Sequence, residues 1–501
     1  MKFSINFFIC LLTCFIVTNN HTLVTSISAS DEQPPNIVLV FADDLGKEWI
    51  GCYGAEGIET PHIDALAKSG LTFTNFYCMP QCTPSRLTLL TGQYPFQHGW
   101  VNHWDVPRWG GGCHFDPSVN PCLGTELKLG NPEYASAIAG KWQIDDFRQE
   151  PDALHEAGFD KYCMWTGYEG KNPQSASRYW NPYVYSDGTS GIRKDKFGPD
   201  VFVDFLCDFM EQNRDEPLFL YYPMALPHGP LVHTPSDLAA ESKIEKHIAM
   251  VRHVDAQVGK LVAKLKELDI FDNTVFIFTT DNGTSGDIKG TIGGHEIQGG
   301  KARVTENGIC VPLVISWPNK IHSSSVLQPG TECDELIDLS DFKPTFLELA
   351  NIDRTESDSP FEGHSFATLL MGAETYMPRE WIMAMGGRNE AKLTDQGVEN
   401  KYWFRDRVIR DKRFKAYFGF NRQAKKLFDL DNDPFEKNNL LADQTELIDE
   451  ASERLQFFAS LVEQMPDRDN DPVYEPLEHR NWYLKPVAES EVWKAGRPDR
   501  N

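Results

Sequence analysis

Two continuous runs of apolar residues stand out in the hydrophobic pattern of the chain, at residues 36–42 and 274–280. Neither run alternates with polar residues, which is typical of strands that are buried on both faces of a parallel sheet. Acidic and amide side chains follow each run directly. The pattern therefore predicts two central parallel strands whose carboxyl ends carry polar groups.

Segments with helical periodicity lie between and beside these runs. Apolar residues recur three and four positions apart in residues 60–70, 200–211 and 247–268, which predicts amphipathic helices with one buried face. A further apolar run at residues 218–222 predicts another strand. The alternation of strands and helices indicates an α/β fold, in which helices pack on a central sheet.

The alternation weakens after residue 365, where short strand-like runs follow at residues 381–385 and 414–420. We therefore predict two domains. A large catalytic domain at residues 31–372 has a mainly parallel central sheet flanked by helices. A smaller C-terminal α+β domain at residues 373–501 ends in an irregular tail.

The first 30 residues have the pattern of a secretory signal peptide. Lys2 precedes an apolar run at residues 7–17, and small polar residues follow as far as Ser30. The run is shorter than the roughly 20 apolar residues that cross a bilayer. A lipoprotein anchor at Cys14 is the alternative interpretation. We expect a secreted or periplasmic protein with no stable membrane insertion.

The charge of the chain limits the class of partner. The chain has 501 residues, of which 41% are hydrophobic, so a large core is available, and its formal net charge is −25. Such a charge argues against nucleic acid or an anionic membrane as a partner. An anionic substrate would therefore have to bind in a pocket that is locally positive.

The cysteines leave disulfide bonds open. Cys10 and Cys14 lie in the predicted signal peptide, and the remaining cysteines of the 11 would be in an oxidising compartment. Cys113 and Cys122 bracket a short loop and are close enough in sequence to pair, although connectivity does not follow from spacing alone. No pair of cysteines has metal-site spacing.

The stretch Cys82–Arg86 (C-T-P-S-R) carries the most specific candidate chemistry. Pro84 suits the first turn of a helix and Gly92 suits its C-terminal cap, so we predict a short helix between them with Cys82 at its N-terminus. The helix N-terminus and the nearby guanidinium of Arg86 favour a tetrahedral oxyanion. The alternative is a buried cysteine before an ordinary helix.

The polar groups at the two central strand ends suggest one site for a hard cation. Ligands gather beyond the carboxyl ends of strands in doubly wound sheets, so side chains from both runs should meet there. Three carboxylates and an amide oxygen suit one Ca²⁺ better than Mg²⁺ in an extracellular protein. Taken singly, each pair could be an ordinary turn or helix cap. The candidate ligands are Asp43, Asp44, Asp281 and Asn282.

Several ordered motifs over roughly residues 34–440 resemble the type I, formylglycine-dependent sulfatase family of the alkaline-phosphatase-like superfamily. The resemblance implies a large α/β domain, a smaller C-terminal antiparallel sheet domain, hydrolysis of sulfate esters with Ca²⁺, and oxidation of Cys82 to formylglycine (3-oxoalanine) by a formylglycine-generating maturation enzyme. The motifs are N-I-V-L-V-F-A-D-D, C-T-P-S-R-x-x-L-L-T-G, G-K-W, P-H-G-P, D-N-G, a lysine before E-N-G, and L-F-D-L-D-N-D-P-F-E-K-N-N-L.

The resemblance also implies roles for individual residues. The four candidate metal ligands would hold the cation, and the hydrated aldehyde at Cys82 would attack sulfur and later expel sulfate by C–O cleavage. Arg86 would hold the geometry of that residue, Lys141 and Lys301 would grip the sulfate, and His228 would protonate the leaving alcohol. Outside this pattern, the two lysines would be read as solvated and the histidine as structural.

One position departs from the family pattern. The family usually has G-K-W-H, but this chain has Gln143 after G-K-W, and an amide cannot accept the proton of the hydrate. Gln143 could position the hydrate while another base acts, turnover could be slow, or the chain could be a degenerate relative. His295 is a candidate substitute base or substrate contact, and His98 is a second candidate base.

The substrate is predicted from a long segment rich in aromatic and basic residues. Aromatic platforms with arginines suit a pyranose ring that bears a sulfate or uronate, although the same residues could simply pack an insertion. We expect a sulfated oligo- or polysaccharide, such as ulvan, another algal glycan or a glycosaminoglycan. A phosphodiesterase or phosphonate monoester hydrolase of the same superfamily, and a catalytically impaired glycan-binding relative, are the alternatives. The segment includes Trp104, Arg108, Trp109, Trp165, Tyr168, Arg178, Tyr179 and Trp180.

Overall fold

A computed structural model describes most of the chain after the predicted signal peptide. The predicted signal peptide, residues 102–114 with Trp104, Arg108 and Cys113, and the C-terminal tail lie outside the described residues. The residues that the structure describes are 33–101, 115–144, 152–165, 177–322, 327–352, 361–373, 375–386, 391–394, 397–400, 404–442 and 448–466.

Twenty strands are assigned in the described part of the chain. They are β1 (Asn36–Ala42), β2 (Leu71–Phe73), β3 (Phe76–Tyr77), β4 (Ala135–Lys141), β5 (Lys161–Trp165), β6 (Tyr183–Ser186), β7 (Thr189–Ile192), β8 (Leu218–Pro223), β9 (Thr274–Thr280), β10 (Lys289–Ile292), β11 (His295–Gln298), β12 (Leu313–Ser316), β13 (Thr331–Cys333), β14 (Ile337–Asp338), β15 (Ile382–Met385), β16 (Ala391–Thr394), β17 (Gly397–Asn400), β18 (Arg407–Arg410), β19 (Phe414–Phe418) and β20 (Ala424–Asp429).

Eleven α-helices accompany the strands in the same described residues. They are α1 (Pro61–Ser69), α2 (Cys82–Thr91), α3 (Pro95–His98), α4 (Leu123–Gly130), α5 (Ala153–Glu156), α6 (Gly198–Gln212), α7 (Lys243–Glu267), α8 (Glu306–Ile309), α9 (Phe342–Leu349), α10 (Ala367–Leu370) and α11 (Asp449–Gln464).

The main sheet has ten strands in the order β13-β2-β12-β9-β1-β8-β4-β5-β6-β7. Its centre, from β9 through β1, β8 and β4 to β5, is parallel, whereas the pairs β12–β9 and β5–β6 are antiparallel. Strands β1 and β9 pair along their whole length, so that Ala42 lies beside Thr280. The residues that follow these two strands therefore emerge next to each other at one edge.

Side chains of β1 alternate between two hydrophobic cores, one on each face of the sheet. Ile37 and Phe41 pack with α2, α4 and α9 on one face, while Val38 and Val40 pack with α1, α6 and α7 on the other. Because both faces are buried, the strand needs apolar residues from Ile37 to Ala42, and the buried Asn36 at its start is hydrogen-bonded to Thr274 and Leu218. This is why its sequence is a continuous apolar run.

A separate four-stranded antiparallel sheet, in the order β15-β18-β19-β20, forms near the C-terminal end of the described residues. Helix α11 packs on it through Phe458 and Val462, which belong to a third hydrophobic core. The mixed α/β class and the two kinds of sheet confirm the predicted fold class. The domain boundary at residue 372 stays a prediction.

The eight cysteines in the described residues are free thiols, and Cys122 is one of them. Its predicted partner, Cys113, lies outside the described residues. Burial raises the pKa of the Cys122 thiol, whose Sγ donates to the carbonyl of Ala157 at 3.4 Å. Among the described helices, none combines the length and the apolar character needed to cross a membrane.

The buried imidazole of His247 on α7 makes the stability of the protein depend on pH. The side chain is 2% exposed, neither ring nitrogen has a hydrogen-bond partner, and the ring centroid lies 4.5 Å from that of Trp49. Burial lowers the pKa of His247 to about 4, so the native ring stays neutral where the unfolded chain takes up a proton. We expect this histidine to cost up to about 3 kcal/mol of folding free energy as pH falls from about 6.5 to 4.

Urea denaturation of wild type and His247→Phe at pH 7 and pH 5 measures this effect. The variant should lose less folding free energy than wild type between the two pH values. His62→Gln on α1 is the matched control, because His62 is exposed and its replacement should leave the wild-type difference unchanged. Equal losses in wild type and His247→Phe would contradict the prediction.

Candidate active site

Acidic and amide side chains meet at the carboxyl edge of the central strands. The backbone N–H of Asp44 donates to Asp281 Oδ1 at 3.2 Å, and Asn282 Nδ2 donates to Asp44 Oδ1 at 2.8 Å. Asp43, Asp44, Asp281 and Asn282 are all buried. The structure thus brings together all four residues that the sequence predicts as metal ligands.

Helix α2 places Cys82 against this acidic group. The helix begins at Cys82 and ends before Gly92, which has the left-handed backbone conformation (φ 70°) that favours glycine. The Cys82 Sγ lies 3.4 Å from Asp43 Oδ1, and burial raises the pKa of the thiol. Ser85, one turn further on, donates to the carbonyl of Asp281 at 2.5 Å and so joins the helix to the end of β9.

Three cationic side chains surround the same carboxylates. Arg86 Nη2 donates to Asp281 Oδ2 at 2.8 Å, and its Nη1 donates to the carbonyl of Lys141 at 2.7 Å. Lys141 Nζ contacts Asp43 Oδ2. Lys301 Nζ lies 2.6 Å from Asp44 Oδ1 and 3.6 Å from the sulfur of Cys82. We use the name Cys82 cluster for Cys82 and the side chains around it. Its other members are Asp43, Asp44, Arg86, Lys141, His228, Asp281, Asn282 and Lys301.

Charge in the Cys82 cluster is balanced within the protein. Burial by itself would raise the pKa of Asp43, but the nearby positive charges, led by Lys141, hold it well below its usual range. A divalent cation would therefore leave the cluster with a positive excess suited to an anionic substrate. The balanced charges are the carboxylates of Asp43, Asp44 and Asp281 against the cations of Arg86, Lys141 and Lys301.

His228 forms the outer side of the cluster. Its Nε2 lies 3.6 Å from Asp44 Oδ2, and a quarter of the side chain is exposed. Its Nδ1 lies 2.7 Å from the Gly229 carbonyl and 3.1 Å from Arg178 Nη1. Burial, aided by the positive charge of Lys301, lowers the pKa of His228. The Nε2 edge of the ring therefore points into the site, while Nδ1 faces the surrounding protein.

The donor set fits a metal ion. One possible set of ligand atoms, from Asp43, Asp44, Cys82 and His228, lies within 4.8 Å of one another. Asn282 Oδ1 is buried and has no hydrogen-bond partner, which is costly unless a cation or another donor satisfies it. Carboxylate and amide oxygens are the ligands that hard cations prefer. These residues therefore fit a metal centre.

The other predicted residues are placed as follows. Gln143 is buried just after β4 with φ 55°, and its carbonyl accepts a hydrogen bond from Thr83 Oγ1 at 3.0 Å, so it adjoins the first turn of α2. His295 is exposed at the start of β11, where its ring contacts Phe435. None of the described contacts joins His295 to the Cys82 cluster.

His98 is not available as a base. The side chain is fully buried, its Nε2 lies 3.3 Å from Thr88 Oγ1, and its Nδ1 accepts from the Trp100 backbone N–H at 3.1 Å. Burial lowers the pKa of His98 to about 3. Thr88 lies more than one turn along α2 from Cys82, so His98 belongs to the packing of this helix.

Sequence reasoning missed the specific positions of Arg178 and Tyr179. It grouped them with other aromatic and basic residues, whereas the structure places the Arg178 guanidinium against the His228 ring and the Tyr179 hydroxyl against the His228 carbonyl. Tyr179 Oη donates to the Ala225 carbonyl at 2.7 Å and also contacts the His228 carbonyl. No local pattern signals these contacts, because about 50 residues separate the partners along the chain.

The family models and the relatives that match this chain are sulfatases. A family model described as Sulfatase matches residues 35–352, and one described as N-sulphoglucosamine sulphohydrolase, C-terminal, matches residues 299–460. An ulvan-active sulfatase of Formosa agariphila is 28% identical over 459 residues, which cover 82% of this chain and 77% of the relative. An N-acetylgalactosamine-6-O-sulfatase of Bacteroides thetaiotaomicron is 27% identical over 509 residues, which cover 88% of this chain and 96% of the relative.

Two solved structures are similar to this chain over nearly its whole length. The crystal structure of Ps i-CgsB has a TM-score of 0.70 with this chain and 25% identity, and the alignment covers 93% of this chain and 100% of the other. The complex of Ps i-CgsB with k-i-k-neocarrahexaose has a TM-score of 0.67 and 26% identity, with the same coverage of both chains.

Proposed function

The chain belongs to the sulfatase family, and we propose that it removes sulfate from a sulfated oligo- or polysaccharide with a formylglycine formed from Cys82. It is a sulfuric ester hydrolase whose relatives act on sugars. The observation that carries the proposal is the position of the Cys82 sulfur, which lies 3.4 Å from Asp43 and 3.6 Å from Lys301. A nucleophile formed there would face a sulfate bound between the two lysines and the acidic edge.

The proposed roles follow from what each side chain contacts. Arg86 spans Asp281 and the Lys141 carbonyl, so it would fix the geometry around residue 82. The ammonium groups of Lys141 and Lys301 would hold sulfate oxygens by preorganised electrostatics. His228, whose Nε2 points into the site, would protonate the departing sugar oxygen.

We propose Ca²⁺ as the metal, held by Asp43, Asp44, Asp281 and Asn282. When bound, it would supply positive charge for the sulfate oxygens. The carboxylate oxygens of the three aspartates and the unpartnered Oδ1 of Asn282 support a hard cation.

The proposed substrate class is a sulfated algal glycan such as ulvan, or a glycosaminoglycan. The names of two relatives support a carbohydrate substrate, because one is active on ulvan and the other on N-acetylgalactosamine 6-O-sulfate. The predicted signal peptide at residues 1–30 would bring the enzyme to a secreted or periplasmic location, where such polymers occur. Trp104 and Arg108 remain proposed substrate contacts, together with Gln143 and His295.

Sulfate release and the mass of one peptide test the proposal together. The full chain, expressed with a formylglycine-generating enzyme, is assayed on ulvan, carrageenan and chondroitin sulfate oligosaccharides, and the tryptic peptide that ends at Arg86 is weighed. We expect an aldehyde at position 82 and release of inorganic sulfate. An aldehyde with no sulfate released, or faster cleavage of a matched phosphodiester, would overturn the sulfatase proposal.

Metal binding should be detectable without any assay of activity. After treatment with a chelator, addition of Ca²⁺ should raise the melting temperature, because a ligand present at about 100 times its Kd stabilises the native state by about 2.7 kcal/mol. Asn282→Ala removes the unpartnered oxygen and should abolish most of the shift. Asn213→Ala, at the end of α6 and outside the cluster, should keep it. An unchanged shift in Asn282→Ala would contradict the assigned ligand.

A further inference from the structure

Arg178 is a cation beside the Cys82 cluster and has no acidic partner among the described residues. Its guanidinium carbon lies 4.1 Å from the centre of the Trp165 ring, and its Nη1 lies 3.1 Å from His228 Nδ1. Among the described residues no carboxylate lies within ion-pair distance of it. By contrast, Arg86 and Arg379 both contact buried carboxylates. A guanidinium without a carboxylate partner in the described part of the chain is notable, because the sequence has 73 acidic and 48 basic residues.

The position of Arg178 is set by its neighbours rather than by a counter-ion. Tyr179 hydrogen-bonds the Ala225 and His228 carbonyls, and Trp180 Nε1 donates to the His233 carbonyl at 2.9 Å. These bonds fix the segment that carries the arginine against the segment that carries His228. The guanidinium also stacks on Trp165 at the end of β5, so little side-chain entropy remains to be lost when it binds a ligand.

The guanidinium lies on the outer side of His228. The Nε2 of His228 faces Asp44, whereas its Nδ1 faces Arg178, so the imidazole ring separates the arginine from the proposed sulfate position. Lys141 and Lys301 already contact the carboxylates at that inner position. Arg178 is thus too far out to serve the sulfate that is cleaved, and it lies where the rest of the sugar would extend.

We propose that Arg178 binds a second anionic group, a carboxylate or a further sulfate, on the sugar that loses its sulfate. A guanidinium offers parallel N–H donors that match a carboxylate or sulfate, and stacking on Trp165 leaves the donors at its edge available. The enzyme therefore selects glycans that carry a uronate or a second sulfate near the scissile ester. This inference rests on the proposed function and names the substrate class of the same site.

Three probes with the same 6-sulfate test the inference. They are a hexosamine 6-sulfate, its N-sulfated derivative, and its disaccharide with a linked uronate. In Arg178→Gln, kcat/KM should fall about 10- to 100-fold for a probe whose second anion meets the arginine, and less than about threefold for the monosulfated sugar. The probe for which kcat/KM falls most shows whether the group that binds Arg178 is a carboxylate or a sulfate. Arg178→Lys keeps the charge without the planar fork and should give an intermediate loss.

The matched control is Arg252→Gln, because Arg252 is exposed on α7 and outside the cluster. Its activity on all three probes should equal that of wild type. An equal fall on all three probes in Arg178→Gln would mean that the arginine acts through His228, which would overturn the inference. The inference would also be overturned if kcat/KM of Arg178→Gln fell on none of the probes while the melting temperature showed that the variant is folded.

Failure of the proposed function can be separated from failure of this inference. If the wild type carries the aldehyde at position 82 but releases no sulfate from these probes or from the ulvan, carrageenan and chondroitin sulfate oligosaccharides, the proposed function fails. Binding of the three probes to Cys82→Ala protein is then measured by calorimetry, with and without Arg178→Gln. The inference stands if the second substitution weakens binding of a doubly anionic probe about tenfold or more. It is overturned if binding is unchanged or if neither doubly anionic probe binds.

Discussion

Replacing Cys82 by alanine should abolish sulfate release while leaving the fold intact. Removing the nucleophile of a preorganised site typically lowers kcat by a factor on the order of 10⁶. Asp43 Oδ1 and Lys301 Nζ lie 3.4 and 3.6 Å from its sulfur, and their contacts with Lys141 and Asp44 do not depend on the thiol, so they should remain in the variant. We expect kcat to fall to the background rate of the assay.

The measurement compares sulfate release by wild type, Cys82→Ala and Cys52→Ser, each expressed with the maturation enzyme. Cys52 is a half-buried thiol outside the Cys82 cluster, so its replacement should leave turnover unchanged. Cys82→Ser tests the chemistry more closely, because a serine that is not oxidised would be left as a sulfate ester. Substantial turnover by Cys82→Ala would show that this residue is not the nucleophile.

Much of the large sheet could be predicted from the sequence because its strands are buried on both faces. Strands β1 and β9 begin and end at the predicted residues, since continuous apolar runs bounded by polar residues leave little choice of boundary. Helix α7 begins at Lys243, four residues before the predicted start at residue 247. Its first turn is polar and is fixed by a cap, in which Ser242 accepts from the Glu245 N–H, so the apolar stripe gave no signal there.

Helix α2 illustrates a similar limit. The sequence predicts its start near Pro84, but the helix begins at Cys82, two residues earlier. Proline is accepted throughout the first turn of a helix because those N–H groups have no partner within the helix, so its position alone does not identify the first residue. The consequence for the site is that Cys82 lies within the first turn.

Contacts between distant parts of the chain could not be predicted. Lys415 on β19 is fully buried, and its Nζ lies 2.8 Å from Glu306 Oε1 and 3.0 Å from Glu436 Oε1. Glu306 opens α8, five residues after Lys301, so the small sheet helps to hold the segment that carries this lysine. A lysine in an amphipathic strand is ordinarily read as solvent-facing, and only its partners from elsewhere in the chain make its burial possible.

Some residues of the candidate site could likewise be placed from the sequence, whereas the surroundings of others could not. Asp43 and Asp281 could be placed together because the carboxyl ends of parallel strands meet at one edge of the sheet, whereas Cys82 was joined to them only through the resemblance to the sulfatase family. The environment of Gln143 could not be predicted, since its left-handed backbone and its contact with Thr83 depend on how β4 meets α2. This contact places Gln143 next to the first turn of α2. If the amide only positions the nucleophile, the substitution Gln143→His should not reduce turnover.

Replacing His228 by glutamine should separate substrates by the basicity of their leaving groups. General acid catalysis is typically worth about 10² to 10⁴ in rate, and a sugar alkoxide needs the proton whereas 4-nitrophenolate leaves without it. Because Nε2 of His228 faces the acidic edge at 3.6 Å from Asp44, the ring is in position to protonate an oxygen that departs from a bound sulfate. We therefore expect kcat on a sugar sulfate to fall by about 10² to 10⁴, and kcat on 4-nitrophenyl sulfate to change by less than about tenfold.

The contrast between the two substrates is what tests the role, because a general loss of geometry would slow both. His62→Gln, an exposed histidine on α1, is the control and should leave both rates unchanged. Equal losses on the two sulfates would show that His228 acts by holding the site together rather than by giving up a proton. The backbone of His228 is anchored through its carbonyl by Tyr179, so glutamine should keep the loop in place and leave the side-chain chemistry as the difference.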